Sequence, residues 1–286
     1  MRMLGWVGVV ALTLSGSAMA ARAQEMDAHE LARQVIYNEL HDREHDSHCE
    51  YRSRSVTPGE TVVREQVETP HGPIFRVLER EGVPLSETEQ CKEDARLKKL
   101  LHSQRELDNL QHEHESDEAR LARIMGLLPR AFLFSYAGKS PLAADGDTVT
   151  LNFRPDPAFV PASYEERVMR VLEGTLTVNL RFKRMLEMRG TLSQSVDFGY
   201  GLLGHVEKGG TFVIHRQQVS EEHWKTDLVD VHIEGKVLLF KNVNKQQREE
   251  RSDFHSVPLD LNMETAKQML DETARTQQPQ LARSGR

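Results

Sequence analysis

Between residues 173 and 240, apolar and polar residues alternate in one segment after another. Leu176, Val178 and Leu180 alternate with Thr175, Thr177, Asn179 and Arg181. Past a turn near Arg181 and Arg184, Leu186 and Met188 alternate with Met185, Glu187 and Arg189. Val229, Val231 and Ile233 alternate with Asp230, His232 and Glu234. Successive side chains of a strand point to opposite faces, so a period of two predicts strands with one face buried and one wetted. Further strands are expected at residues 211–219, 223–233 and 236–240. Residues 243–257 are charged throughout and read as an outer or edge strand protected by those charges. The apolar face of such a sheet must lie against protein or against a ligand.

The N-terminal half mixes both periods. Leu31, Val35, Ile36 and Leu40 recur at helical spacing and predict a helix over 25–42, capping one end of the sheet. Three short strands follow at 49–56, 61–69 and 74–80, separated by Pro58-Gly59 and by Pro70, Gly72 and Pro73. Ser86 and Glu89 then form a capping-box pattern that opens a long charged helix. Leu97, Leu100, Leu101, Leu107 and Leu110 make its apolar stripe, which fails from 111 to 120 and resumes at Leu121, Ile124, Met125 and Leu128. That interruption fits one helix crossing solvent or two helices with a charged joint. Phe132, Phe134 and Tyr136 begin a hairpin that turns at Asp145-Gly146 and returns through Val149, Leu151 and Phe153. A helical turn is expected at 164–172. A short helix over Met263, Ala266, Met269 and Leu270 ends the fold, and a disordered tail is expected from 276 to 286.

Residues 1–23 stand apart. Arg2 precedes an apolar run, and Ala18-Met19-Ala20 and Ala21-Arg22-Ala23 suit a signal peptidase. Cleavage is expected after Ala23, which places the mature chain in the periplasm or outside the cell. No later stretch is long and apolar enough to span a bilayer. The domain reading is thus a signal peptide at 1–23, one sheet domain at 24–262 with a charged helical insertion at 86–128, and the C-terminal helix and tail at 263–286. The formal net charge is −7. Loss of Arg2 and Arg22, with no acid removed, carries it to −9, which argues against a nucleic-acid partner.

Candidate chemistry is sparse. The two cysteines, Cys49 and Cys91, can form a disulfide in an oxidising compartment or remain free thiols. His41, His45 and His48 would share a face if helical, but three histidines among acids without a ligand pattern read as a solvated helix end. No GxSxG, HExxH, CxxC or Walker A sequence occurs. Neither a catalytic residue, a metal site nor a cofactor is assigned, and a non-enzymatic role is expected.

The order of elements is a signal peptide, a helix, three strands, a charged helical insertion, a hairpin and a long antiparallel meander. With the stretches Phe75-Arg76-Val77-Leu78-Glu79-Arg80-Glu81-Gly82-Val83-Pro84-Leu85-Ser86 and Gly174-Thr175-Leu176-Thr177-Val178, it resembles the LolA/LolB-like superfamily of outer-membrane lipoprotein-sorting proteins. The resemblance implies an α+β, mainly antiparallel fold: an incomplete, curved β-barrel with helices covering its concave face. It implies a soluble carrier of lipid or lipoprotein acyl chains, with Leu176, Val178, Leu186, Met188, Val229, Val231 and Ile233 lining the cavity. Gly174 and Gly190 would ease the bend. The alternative is an envelope structural or interaction protein whose interior is filled by its own side chains and whose partner meets the charged helix.

Overall fold

The computed structural model describes residues 26–41, 47–139, 147–198, 204–221, 223–237 and 245–284. The expected signal peptide, His45 and the Asp145-Gly146 turn lie outside them. The chain opens with α1 (Ala28–His41), β1 (His48–Thr57), β2 (Glu60–Val67), β3 (Ile74–Arg80) and β4 (Val83–Pro84). The insertion is α2 (Glu87–His102) and α3 (Gln104–Ala131), followed by β5 (Phe132–Lys139), β6 (Thr148–Pro155) and α4 (Tyr164–Met169). The meander is β7 (Leu172–Asn179), β8 (Arg184–Leu192), β9 (Val196–Phe198), β10 (Gly204–Val206), β11 (Thr211–Gln218), β12 (Trp224–Ile233), β13 (Gly235–Val237) and β14 (Lys245–Val257), and α5 (Met263–Ser284) closes the chain.

Among the described residues, eleven strands form one antiparallel sheet in the order β4-β3-β2-β1-β14-β12-β11-β8-β7-β6-β5. It is open, with β4 and β5 at its two ends, and β13, β10 and β9 form a separate small sheet. The protein is α+β, and among the described residues no helix is long and apolar enough to cross a membrane.

Residues directly opposite in an antiparallel pair share a face. Leu151, Leu176, Met188, Ile214 and Val229 are linked in this way across β6, β7, β8, β11 and β12. The same face passes through Glu249 and Arg251 of β14 to Ser53 of β1. Glu65 and Val67 of β2, and Ile74 and Arg76 of β3, therefore fall on the opposite face. Each face is covered at a different end. Leu31, Val35 and Ile36 of α1, with Leu128 and Ala131 of α3, bury the first face over β5 to β8. Leu97 of α2, with Ala266 and Leu270 of α5, covers Val67 and Ile74 on the second. The stripe at 121–128 thus lies on the apolar face of the meander and the stripe at 97–110 on the reverse. Each fully buried Leu, Val or Phe contributes about 1.5–3 kcal/mol.

Three elements differ from expectation, each for a local reason. The insertion is two helices, but the break falls at Ser103 and α3 runs unbroken through residues 111–120. Ser103 caps α3 by accepting from the Glu106 backbone N–H at 3.3 Å. This satisfies one of the donors that a helix start leaves bare. The strand expected at an edge is β14, and it sits in the middle of the sheet between β1 and β12. Its charges serve as cross-strand partners: Arg248 meets Asp230 at 2.8 Å and Glu250 meets Arg54 at 3.9 Å. The C-terminal helix continues to Ser284 rather than giving way to a tail. Gln, Ala, Leu and Arg after Thr276 favour a helix, against the opposing preference of Pro279.

The paired glycines mark a close approach. Gly174 and Gly190 face each other across β7 and β8. A Cβ on Gly174 would stand 2.0 Å from the Arg189 carbonyl oxygen, and one on Gly190 would stand 2.6 Å from the Phe212 ring. Neither position has room for a side chain.

Candidate functional site

The apolar face is not sealed along its whole length. Where α1 ends and α3 crosses it, a cleft of about 400 Å³ lies over β8, β11 and β12. Leu121, Ala122 and Met125 of α3 form one wall, and Met185, Ile214 and Val229 of the sheet form the other. Leu121 is large, apolar and 45 % exposed, at the mouth. The volume is within the range of about 300–1,000 Å³ typical of small-molecule sites.

The remaining lining is Leu40, Trp224, Thr226 and six charged residues, whose charges are already bonded. Glu39 near the end of α1 is buried. It accepts from Arg184 Nε at 3.0 Å and Nη2 at 3.2 Å, from the Met185 backbone N–H at 2.8 Å, and from Arg216. Arg216 also donates to the Trp224 carbonyl at 2.7 Å. Lys225 donates to Glu68 at 2.9 Å, and the Cys49 backbone N–H donates to the same carboxylate oxygen at 2.9 Å. Arg251 pairs with Glu249 at 2.8 Å and lies 5.4 Å from the Tyr51 ring centroid. Burial pushes the Tyr51 hydroxyl well above its ordinary pKa. Glu39, Glu68 and Glu118 stand against Arg216, Lys225 and Arg251 on the lining, so the cleft is balanced in charge. A ligand need bring no net charge to it. Among the described residues, Thr226 is the one hydroxyl side chain that lines the cleft.

The residues expected from the sequence do not form one trough. Leu176, Val178 and Met188 are buried in the protein's own core with α1 and α3. Leu186 does not join them. The β7–β8 register slips between Thr177 and Val178, so that Val178 faces Met185 and Leu186 is the extra, half-buried residue of a bulge. Met185 takes the inward place. Val229 lines the cleft, Val231 is half-buried beside it, and Ile233 packs on Leu192, Val196 and Val206 of a different cluster. Cys49 is buried in β1 and Cys91 is exposed on α2, and no disulfide joins them. His41 stacks on Tyr37 with ring centroids 3.8 Å apart. Among the described residues, no three His, Cys, Asp or Glu side chains are grouped to hold a metal ion.

Glu39 was detectable in part. It stands four residues after Val35 and three after Ile36, on the apolar stripe of α1. A carboxylate there needs a buried cationic partner. Arg216, Lys225 and Trp224 reach the site only through tertiary pairing and carried no local signal.

Away from the cleft, His205 on β10 lies 2.7 Å from Asp197 and 3.4 Å from Glu207. The hydrogen bond to Asp197, followed by that to Glu207, raises its pKa above the usual value. Because the folded value exceeds the unfolded one, the pair stabilises the small sheet below about pH 6.5 and loses that effect as pH rises through the raised pKa. In a proton NMR titration, His205 is expected to lose its charge at higher pH in the wild type than in Asp197→Asn. Equal midpoints would show that the pairing is absent in solution.

Comparison with protein-family models, with curated proteins and with solved structures finds no match for this chain.

Proposed function

We propose that this is an exported, soluble acyl-chain-binding protein of the cell envelope, acting after removal of residues 1–23. The supporting observation is the cleft: an apolar channel between α3 and the sheet, open at Leu121, beside a charge-balanced polar end. An acyl chain would lie along Met125, Met185, Ile214 and Val229, gaining about 0.8 kcal/mol for each CH₂ removed from water. Its polar head would rest near Arg216, Lys225 and Arg251. The resemblance to the LolA/LolB-like superfamily supports the same reading. The open sheet, bending where Gly174 and Gly190 approach, would be the incomplete barrel, and α1 with α3 the cover of its concave face. The ligand is then a lipid or a lipoprotein's acyl chain.

A second reading is favoured by a separate observation. Residues 111–120 of α3 are mostly exposed and charged, between two ends of the helix that pack on the protein. An envelope partner bound there would make the protein a non-enzymatic interaction module. The two readings separate in a fluorescent fatty-acid displacement assay. Wild type should bind the probe, and Leu121→Asp should weaken binding at least tenfold with an unchanged circular dichroism spectrum. A folded wild type that binds no acyl probe refutes the first reading and leaves the second.

A further inference from the structure

The reverse face of the sheet carries a second cavity, of about 440 Å³, at the β4 edge between α2 and α5. Its chemistry differs from that of the cleft. On α2, Gln90, Asp94 and Lys98 follow at four-residue steps and share one helix face. On α5, Lys267, Asp271 and Arg275 do the same, and both rows line the cavity. Arg76 of β3 lies between them, its side chain 7 % exposed. It donates to Asp94 and, at 2.5 Å, to the Oδ1 of Asp271. Lys267 holds the Oδ2 of Asp271 at 2.6 Å. Two cations therefore neutralise the two carboxylates.

Lys98 and Arg275 are left over. Each stands one turn beyond its aspartate, each is exposed, and neither has a carboxylate partner among the described residues. Behind them, the Nε of Arg76 is buried without an acceptor. Lys98 and Arg275 thus hold unspent N–H donors at a cavity with net positive charge, in a chain whose formal charge is −7. The rest of the wall is apolar: Val77, Leu78, Pro84, Leu85 and Ala274.

We infer that this cavity is a binding site for a phosphate monoester with an apolar body. Two unpaired cations balance a dianion, and their N–H donors make charge-assisted bonds to its oxygens. The apolar wall takes the organic group. The site lies on the opposite face from the acyl-chain cleft and does not depend on that reading.

Isothermal titration of the full chain with phenyl phosphate tests it, with inorganic phosphate and phenol as companion probes. Phenyl phosphate should bind, inorganic phosphate at least tenfold more weakly, and phenol not measurably. Lys98 and Arg275 are exposed, so the double variant Lys98→Gln/Arg275→Gln should fold as wild type and lose at least tenfold in affinity for phenyl phosphate. Absence of binding to wild type, or equal binding to the double variant, would overturn the site. Inorganic phosphate binding as tightly as phenyl phosphate would overturn the role of the apolar wall.

Discussion

Val178→Arg should leave the chain unfolded. Val178 is fully buried, among Leu151, Leu176 and Met185 under α1. An arginine there has neither water nor a carboxylate partner in that cluster, and an uncompensated buried charge costs several kcal/mol or more. Domains of this kind are stable by only about 5–15 kcal/mol in total. The expected result is loss of soluble protein, or a circular dichroism melt with no cooperative transition. Thr177, on the opposite face, is an unsuitable control because it is itself buried at 4 % exposure. Glu173 is exposed on the same strand, and Glu173→Arg should melt within a few degrees of wild type. Equal tolerance of arginine at 173 and 178 would show that the apolar face is misassigned.

Glu39→Ala is expected to have the next largest effect. The Glu39 carboxylate pairs with both Arg184 and Arg216 and also accepts from the Met185 backbone N–H. Removing it leaves two cations in a buried site, at a cost of about 3–5 kcal/mol. Glu39→Gln should cost less, since its amide oxygen still accepts a hydrogen bond. Urea unfolding followed by tryptophan fluorescence reads this directly, because Trp224 lies in the same network. A midpoint unchanged by Glu39→Ala would mean that the cluster does not anchor α1 to the sheet.

Local pattern located most of the elements. The period of two placed β7, β8, β11 and β12, the Leu31, Val35 and Ile36 stripe placed α1, and Ser86 with Glu89 placed the start of α2. What escaped was set at long range. The bulge that replaces Leu186 by Met185 depends on the register with β7, and alternation within β8 alone cannot show it. β14 read as an edge strand because it is polar on both sides. Only Asp230 and Arg54, distant in sequence, reveal that it is central. The break at Ser103 was legible, since Ser103 and Glu106 repeat the capping pattern of Ser86 and Glu89. The leucine stripe running through it concealed that. The cleft draws on α1, α3, β8, β11, β12 and β14, so only Val229 among the seven expected lining residues borders it.

The location of a bound chain can be mapped by photolabelling. A fatty acid carrying a diazirine near its methyl end is mixed with the protein and irradiated, and the labelled peptides are read by mass spectrometry. Label is expected on the α3 segment around Leu121 and Met125 and on the strands carrying Met185, Ile214 and Val229, and an excess of unlabelled fatty acid should remove it. Label spread over the surface, or insensitive to that competitor, would contradict an acyl-chain site in the cleft.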